Sequence, residues 1–390
     1  MFLLKLSLTH KKNMKINNNF FPYRICLIVL IIFFFLPNAD VLAQKKSKKK
    51  TKKWNIDIGL ATIYDDNILK YSKKYLDKFD KREDEGRFNI NTYDDLVLSM
   101  SLKTSYTFKV FGKLKSRINV DLSRRQYINN DIKTWNNMVI GFRQYLTKQA
   151  SMKFFYSYIP DFYINHFRDD DWVDVYGYTK EAFQPYSFAK ESYGFWIQNT
   201  FYKNTRIMLN FSYEKYYHNK HFTEYDCDNF VTGIKLYQKI HKKVRLLMGY
   251  QFTNSDANAY DGPNETKATS DDSDATNVED RFTFGFNWKL PRLKKHTNDL
   301  NVECRIQNRY YSSKHYLEKD RMHAGRVDKN FRLYVTYNIK LRKNLKLSAF
   351  YYWFHRNSDT EAIPNKILIS DEKDYNQDQY GLKITYNLKM

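Results

Sequence analysis

Four histidines, His166, His218, His221 and His355, stand near the ends of segments of alternating polarity. Such a group beside a serine or carboxylate could act as a general base at a membrane surface. No Gly-x-Ser-x-Gly, His-Glu-x-x-His or phosphate-cradling glycine loop accompanies them. His218-Asn-Lys-His221 has metal-compatible spacing only on a helix, and it lacks a third ligand nearby. These side chains are expected at the surface, with no catalytic residue, metal or cofactor. Two acidic clusters, Asp169–Asp171 with Asp174, and Asp271, Asp272 and Asp274 with Glu279 and Asp280, lack the spacing of an EF-hand. They are expected to be solvated loops.

The bases form a second constellation. Counted by twos along the chain they fall on one stripe: Lys103, Arg117, Arg143, Lys153, Lys235, Arg245, Arg305, Arg309, Arg332, Lys340 and Lys383. Further bases on it are Lys109, Lys115, Lys346 and Lys389, and the acids are Asp57, Asp121 and Glu303. Bases gathered on one wall would create a positive field that draws anions. Lys residues near strand ends can alternatively snorkel to an interface.

The elements that carry this stripe are strands. Phe282, Phe284, Phe286, Trp288 and Leu290 face one way, and Arg281, Thr283, Gly285, Asn287 and Lys289 the other. Phe331–Leu341 and Tyr380–Met390 repeat the pattern, which is that of strands with one apolar and one polar face. The period predicts strands over 54–64, 92–110, 114–127, 134–146, 151–165, 192–201, 205–217, 227–239, 244–254, 279–290, 299–311, 330–341, 345–356 and 375–389. Pro160 inside one of them demands a bulge or an end. Short polar turns (111–113, 147–150, 202–204, 241–243, 291–298, 342–344) alternate with mostly longer connections. Aromatics gather near strand ends: Trp54, Tyr106, Phe108, Trp135, Trp196, Tyr213, Tyr216, Tyr217, Trp288, Tyr310, Tyr311 and Trp353. The sum predicts an all-β fold, a transmembrane antiparallel up-and-down β-barrel of about 14 strands, with 12 to 16 as the range. A closed barrel satisfies every backbone group in lipid, and rings at the interfaces form girdles. A secreted β-sandwich is the competing fold.

Composition agrees. The chain has 390 residues, net charge +22 and 42% hydrophobic residues, which excludes a polytopic helical membrane protein. Aromatic content of 17% excludes disorder. The apolar run 26–36 follows Lys15 and Arg24 and has about eleven residues, where a span needs about twenty. It reads as part of a signal peptide over 1–43, cleaved near Ala43 after Val41-Leu42-Ala43. Residues 44–53 form a Lys-rich tail expected to be disordered, and 54–390 the barrel. Export argues against a nucleic-acid partner. Cys227 and Cys304 lie on separate strands, so a disulfide between them is not expected.

The chain resembles an outer-membrane β-barrel of the porin type from Gram-negative bacteria. The resemblance rests on an opening strand followed by Tyr64-Asp65-Asp66-Asn67-Ile68 and on a closing strand Tyr380…Leu382…Ile384…Tyr386…Leu388…Met390. Such closing strands usually end in Phe or Trp, where this one has Met390. The resemblance implies outer-membrane lipid and lipopolysaccharide as surroundings and the barrel-insertion machinery as a partner. The function expected is passive diffusion of small hydrophilic, preferably anionic, solutes, without enzymatic activity. The alternatives are an envelope barrel acting through its surface loops in adhesion or interaction, and a transporter of hydrophobic substrates. Fourteen strands leave room for either a narrow pore or a loop that partly plugs it.

Overall fold

Fourteen strands pair antiparallel in sequence order, and the first closes on the last. They are β1 (Trp54–Asp65), β2 (Asp95–Val110), β3 (Leu114–Tyr127), β4 (Trp135–Tyr145), β5 (Ser151–Arg168), β6 (Phe183–Phe201), β7 (Thr205–His218), β8 (Cys227–Lys239), β9 (Val244–Ala257), β10 (Asn277–Lys289), β11 (Thr297–Tyr311), β12 (Arg326–Lys340), β13 (Leu345–Thr360) and β14 (Tyr375–Lys389). The computed structural model describes residues 53–110, 114–202 and 204–390. The signal peptide over 1–43, the Lys-rich tail up to Lys52 and the 111–113 turn lie outside the described residues. β1 meets β14 from Asn55↔Lys389 to Asp65↔Gln379, so no strand edge is left unpaired.

The outward face is greasy. Leu60, Phe284, Leu382 and Ile384 are 53%, 44%, 54% and 51% exposed. Continuous apolar exposure of this kind around a closed sheet is stable only in hydrocarbon. No described helix is long and apolar enough to cross a membrane, and the crossing is made by strands. The band on β1 runs from Trp54 to Tyr64. At about 3.3 Å per residue and about 40° of tilt, that is about 25 Å, the height of an outer-membrane barrel's apolar belt. The chain is an integral protein of the bacterial outer membrane. At the loop side of the belt, outward tyrosines meet outward acids. Tyr64, Tyr250, Tyr351 and Tyr193 donate to Asp94, Asp280, Asp378 and Glu191 at 2.7, 2.5, 2.5 and 2.8 Å. Four residues expected in the girdles turn inward instead. Trp135 joins the luminal core, Trp196 lies under Arg143, Tyr216 accepts from Lys190, and Tyr311 lies under Arg326. The lumen is polar enough to give indole and phenol groups partners there.

Pro160 sits in a bulge, as its missing N–H requires, with register shifts between Ile159 and Phe162 and again before Asn165. β6 starts nine residues earlier than its alternation suggested. Gln184–Lys190 holds Pro185 and two aromatics, Tyr186 and Phe188, which blur the period. Cys227 and Cys304 are free thiols.

The long connections carry helices where the sequence suggested only loops: α1 (Lys73–Asp80), α2 (Asp170–Tyr176) and α3 (Lys366–Lys373). The connection between β1 and β2 folds inward. Ile68, Leu69, Tyr71 and Tyr75 are buried against Ala61, Ile63, Val97, Tyr127 and Tyr163 of the barrel wall. The inner face of β1 explains this. It runs Asp57, Gly59, Ala61, Ile63, and so turns apolar towards the loop end. Asn67 fixes the entry: its side chain donates to the carbonyls of Tyr71 and Asn376 at 2.9 Å each and accepts from Tyr71 N at 2.8 Å. Ser72 caps α1 through Tyr75 N. Asp95 holds the neighbouring 128–134 connection, accepting from the backbone of Ile128, Asn129 and Asn130 at 2.9–3.2 Å. Contacts then cross the mouth. Lys74 pairs with Glu372 at 2.9 Å, Arg168 with Asp84 at 3.4 Å, Lys373 lies over Phe167 at 5.3 Å, and Tyr225 packs on His323 at 6.0 Å.

Lys133 is enclosed in this region, 5% exposed, and donates to the Tyr163 carbonyl at 2.7 Å. Burial pushes its ammonium down to about 7, with Lys70 adding to the fall and Asp65 opposing it. Freed from the packing, the amine titrates near its ordinary 10.5. Above pH 7 the packed loop therefore binds fewer protons than the opened one, and packing gains stability as pH rises. Hydrogen exchange in the 128–135 peptide, corrected for intrinsic rates, should be faster at pH 6 than at pH 9. In Lys133→Met the difference should vanish; a difference that persists would show that another group sets it.

Candidate functional site

The polar stripe faces the lumen, and the short-turn end encloses two joined chambers. The larger, about 590 Å³, is lined by Lys103, Arg125, Lys340, Lys343, Lys346, Lys383 and Lys389, and Asp57 is its one carboxylate. The smaller, about 280 Å³, is lined by Lys103, Arg117, Arg143 and Lys153 with Asp57 and Asp121. Lys103 and Asp57 border both. Strand register makes this neighbourhood: Lys103 pairs with Asp121, Arg117 with Arg143, and Arg143 with Lys153. Two glycines let lysines lie flat on the wall. A Cβ on Gly141 would come within 2.3 Å of Lys153 Cε, and one on Gly59 within 3.1 Å of Lys383 Cε. Arg143 is braced by Ser151 Oγ at 2.9 Å and by the face of Trp196 at 4.8 Å.

Part of the wall is built of amides gathered around single carboxylates. Asp299 accepts from Asn287, Asn301 and Asn338 at 3.1, 2.8 and 3.0 Å. Asn387 donates to Asn55 and to Asp57, which ties up the chamber's carboxylate. Lys103, Arg125, Lys340, Lys343, Lys346 and Lys383 make no ion pair within 4.0 Å to the described carboxylates. Like charges at this density in a low-dielectric wall focus the field on mobile anions.

Of the eleven bases expected on the inner wall, Lys103, Arg117, Arg143, Lys153, Lys340 and Lys383 converge on the two chambers. Lys235 lies beside Gly249 on the inner face, and Arg245 stands in register with Asn287 near the short turns. Arg305, Arg309 and Arg332 sit higher. Arg305 is bound to Glu303 at 2.6 Å, and Arg332 lies 5.9 Å over Phe354. Arg309 shares Glu279 with Arg281, at 3.0 and 2.7 Å. Arg305 and Arg309 are held by the barrel more than offered to a solute. The inner wall is richer in acid than the stripe suggested, since Glu214, Glu279, Asp299 and Asp328 also line it. Glu279 and Asp328 stand near the loop ends of their strands, where the outer face has left the apolar belt and the alternation fades. Arg125 and Lys343 were missed. Arg125 follows Arg117 and Asp121 at even spacing, so parity alone could have found it; Lys343 lies in a turn, where parity says nothing.

Asp328 illustrates the structural pairs. It is fully buried and bidentate to Arg326 at 2.7 and 2.6 Å. Asp328→Ala should cost about 3–5 kcal/mol by leaving a buried guanidinium unpaired. Urea unfolding in detergent should show it, whereas Asp328→Glu should retain most of the stability.

The histidines depart from the expected surface placement. His218 stacks on Tyr186 at 5.2 Å and meets Asp226 at 3.3 Å, and His221 meets Asp169 at 2.6 Å. Each has a single carboxylate partner and a packing role. The acidic clusters are only partly solvated: Asp169 caps α2 and Asp274 accepts from Thr276 N and Lys314 N, both acids being buried.

No family model matches the sequence, and no curated protein does. Among solved structures the chain is similar to a bacterial polysaccharide outer membrane secretin, at 8% identity over 87% of this chain and 100% of that one, with a TM-score of 0.42. It is similar to the outer membrane channel DcaP of Acinetobacter baumannii, at 12% identity over 89% and 100%, TM-score 0.43. It is also similar to an anion-selective porin from Comamonas acidovorans, at 8% identity over 87% and 99%, TM-score 0.41. These scores are low, and the chain's own geometry carries its functional reading.

Proposed function

We propose that this barrel is a passive, non-enzymatic channel for small hydrophilic anions, driven by the solute's own gradient. The observation that supports it is the 590 Å³ chamber with seven bases and one carboxylate at the short-turn end. Lys and Arg rings in a water-filled wall favour anions over cations. The inward-folded 66–94 connection limits the flow at the loop end. A solute entering from outside passes the packed loops first and is then drawn by the positive chamber. Planar-bilayer recording across a KCl gradient tests this. A chloride-directed zero-current potential is expected, and a potassium-directed one would overturn the proposal.

A second reading is an envelope barrel acting through its loops. Contacts that cross the mouth, and the exposed Tyr178, Ile363 and Ile367 at 79%, 84% and 76%, favour it. It would be supported by a barrel that stays closed to ions even without its inner connection. Transport of hydrophobic substrates is disfavoured, because the apolar part of the lumen is filled by the chain's own Ile68, Leu69 and Tyr71. Lipopolysaccharide around the belt and delivery by the insertion machinery are part of the same proposal.

A further inference from the structure

The inner wall departs from its own polarity on β13. Luminal positions of a barrel are ordinarily polar, yet three successive inward ones, Phe350, Tyr352 and Phe354, are aromatic. Register sets Tyr334 of β12 opposite Tyr352, and Arg332 opposite Phe354. The four rings touch in series. Phe350 stacks on Tyr352 with centroids 4.8 Å apart, Tyr352 meets Tyr334 at 5.0 Å, and Tyr334 meets Phe354 edge to face at 5.7 Å. Phe350 and Tyr352 line the larger chamber, and the series runs from there towards the loop end.

Packing accounts for the first ring only. Phe350 leans on the core formed by the inward-folded connection. Tyr334, Tyr352 and Phe354 are not members of that core, and each is half-buried. Ring faces beside an aqueous path favour a flat apolar group.

A second feature, independent of the rings, gives that ligand a charge. The Arg332 guanidinium lies 5.9 Å from the Phe354 ring centre. Its Nε is buried without a hydrogen-bond partner, and among the described residues no carboxylate lies within 4.0 Å of it. Glu303, in register with Tyr334, is taken by Arg305 at 2.6 Å, and Arg305 also covers the Tyr334 ring at 4.7 Å. A guanidinium presents a planar fork that matches a carboxylate with two parallel N–H···O bonds.

We propose that Arg332, Tyr334, Tyr352 and Phe354 bind a small aromatic carboxylate, its ring against the ladder and its carboxylate on the Arg332 fork. The site rests on the channel reading for the ligand's route, which passes the ladder before the basic chamber. A bare inorganic anion gains no stacking there, and a neutral aromatic gains no ion pair. Passage requires that the ligand also leave, so one guanidinium and a few ring contacts suit a translocated solute.

The test is isothermal titration of the full chain, folded in detergent, with sodium benzoate. Benzoate should bind at least about tenfold tighter than acetate or benzamide, each of which lacks one half of the recognition. Arg332→Gln should weaken benzoate binding by about tenfold or more. Tyr352→Leu with Phe354→Leu should bring benzoate close to acetate. No binding at about 10 mM benzoate overturns the proposal, as does binding that acetate equals or that both variants leave unchanged. Heat-dependent gel mobility reports whether each variant folds. If Arg332→Gln does not, Arg332→Lys, which keeps the charge and loses the fork, should show the same weakening and decides in its place. The titration needs no conduction. A barrel that passes chloride but ignores benzoate overturns this site alone, whereas one that binds benzoate but passes no chloride supports the site and overturns the channel reading.

Discussion

Replacing Lys103, Lys340 and Lys383 together by Glu should abolish anion preference. The three line the larger chamber with four other bases and Asp57. After the change, bases and carboxylates are equal in number, and the field that concentrates anions is gone. A cationic cleft raises local anion concentration by about tenfold or more, so the chloride-to-potassium permeability ratio should fall by about that factor. The ratio comes from the zero-current potential in a KCl gradient, and high salt should shrink the effect by screening. Reversing Lys346 and Lys389 as well should make the channel prefer cations. Replacement by Gln should give an intermediate ratio. A ratio that ignores all these changes would mean that ions do not pass the chamber, and the channel proposal would fail.

The second large effect concerns flow and not selectivity. Deleting residues 68–90 and joining the ends by a short Gly-Ser linker removes Ile68, Leu69, Tyr71, α1 and their packing from the lumen. The β1–β2 register from Trp54↔Tyr106 to Asp65↔Asp95 is untouched, so the barrel should still form. Single-channel conductance should rise at least about threefold, because fourteen strands enclose more space than their own side chains fill. The larger chamber stays in place, so the permeability ratio should hardly move. A deletion variant that folds, by gel mobility, but conducts no better than the parent would place the constriction elsewhere. If neither conducts, the loop-acting reading gains.

The strands were legible because each crosses lipid. An outward side chain in hydrocarbon must be apolar and its luminal neighbour can be polar, so Phe282–Trp288 and Tyr380–Leu388 announce themselves by parity. The signal stops where the belt stops. Arg326–Asn330 and Asn357–Thr360 belong to strands, yet both faces there meet polar surroundings. Glu279 and Asp328 hide in that zone, which is why the lumen is less one-sidedly basic than its stripe implied. The inward-folded connection had only a faint signal: Ala61, Ile63 and Val97 are apolar on the face that should be polar.

The outward tyrosines have a consequence for the host bilayer. Tyr64, Tyr250 and Tyr351 are each latched to an acid at the loop-side border, while Trp54 marks the opposite border on β1. A latched phenol resists sliding deeper or shallower, so the molecule has one preferred depth and one preferred acyl-chain length. In a thicker leaflet pair the lipids must compress around it, at a fraction of a kcal/mol per Å of mismatch. The protein thus favours thin membranes, and that preference is written in its perimeter, independent of whatever crosses its interior.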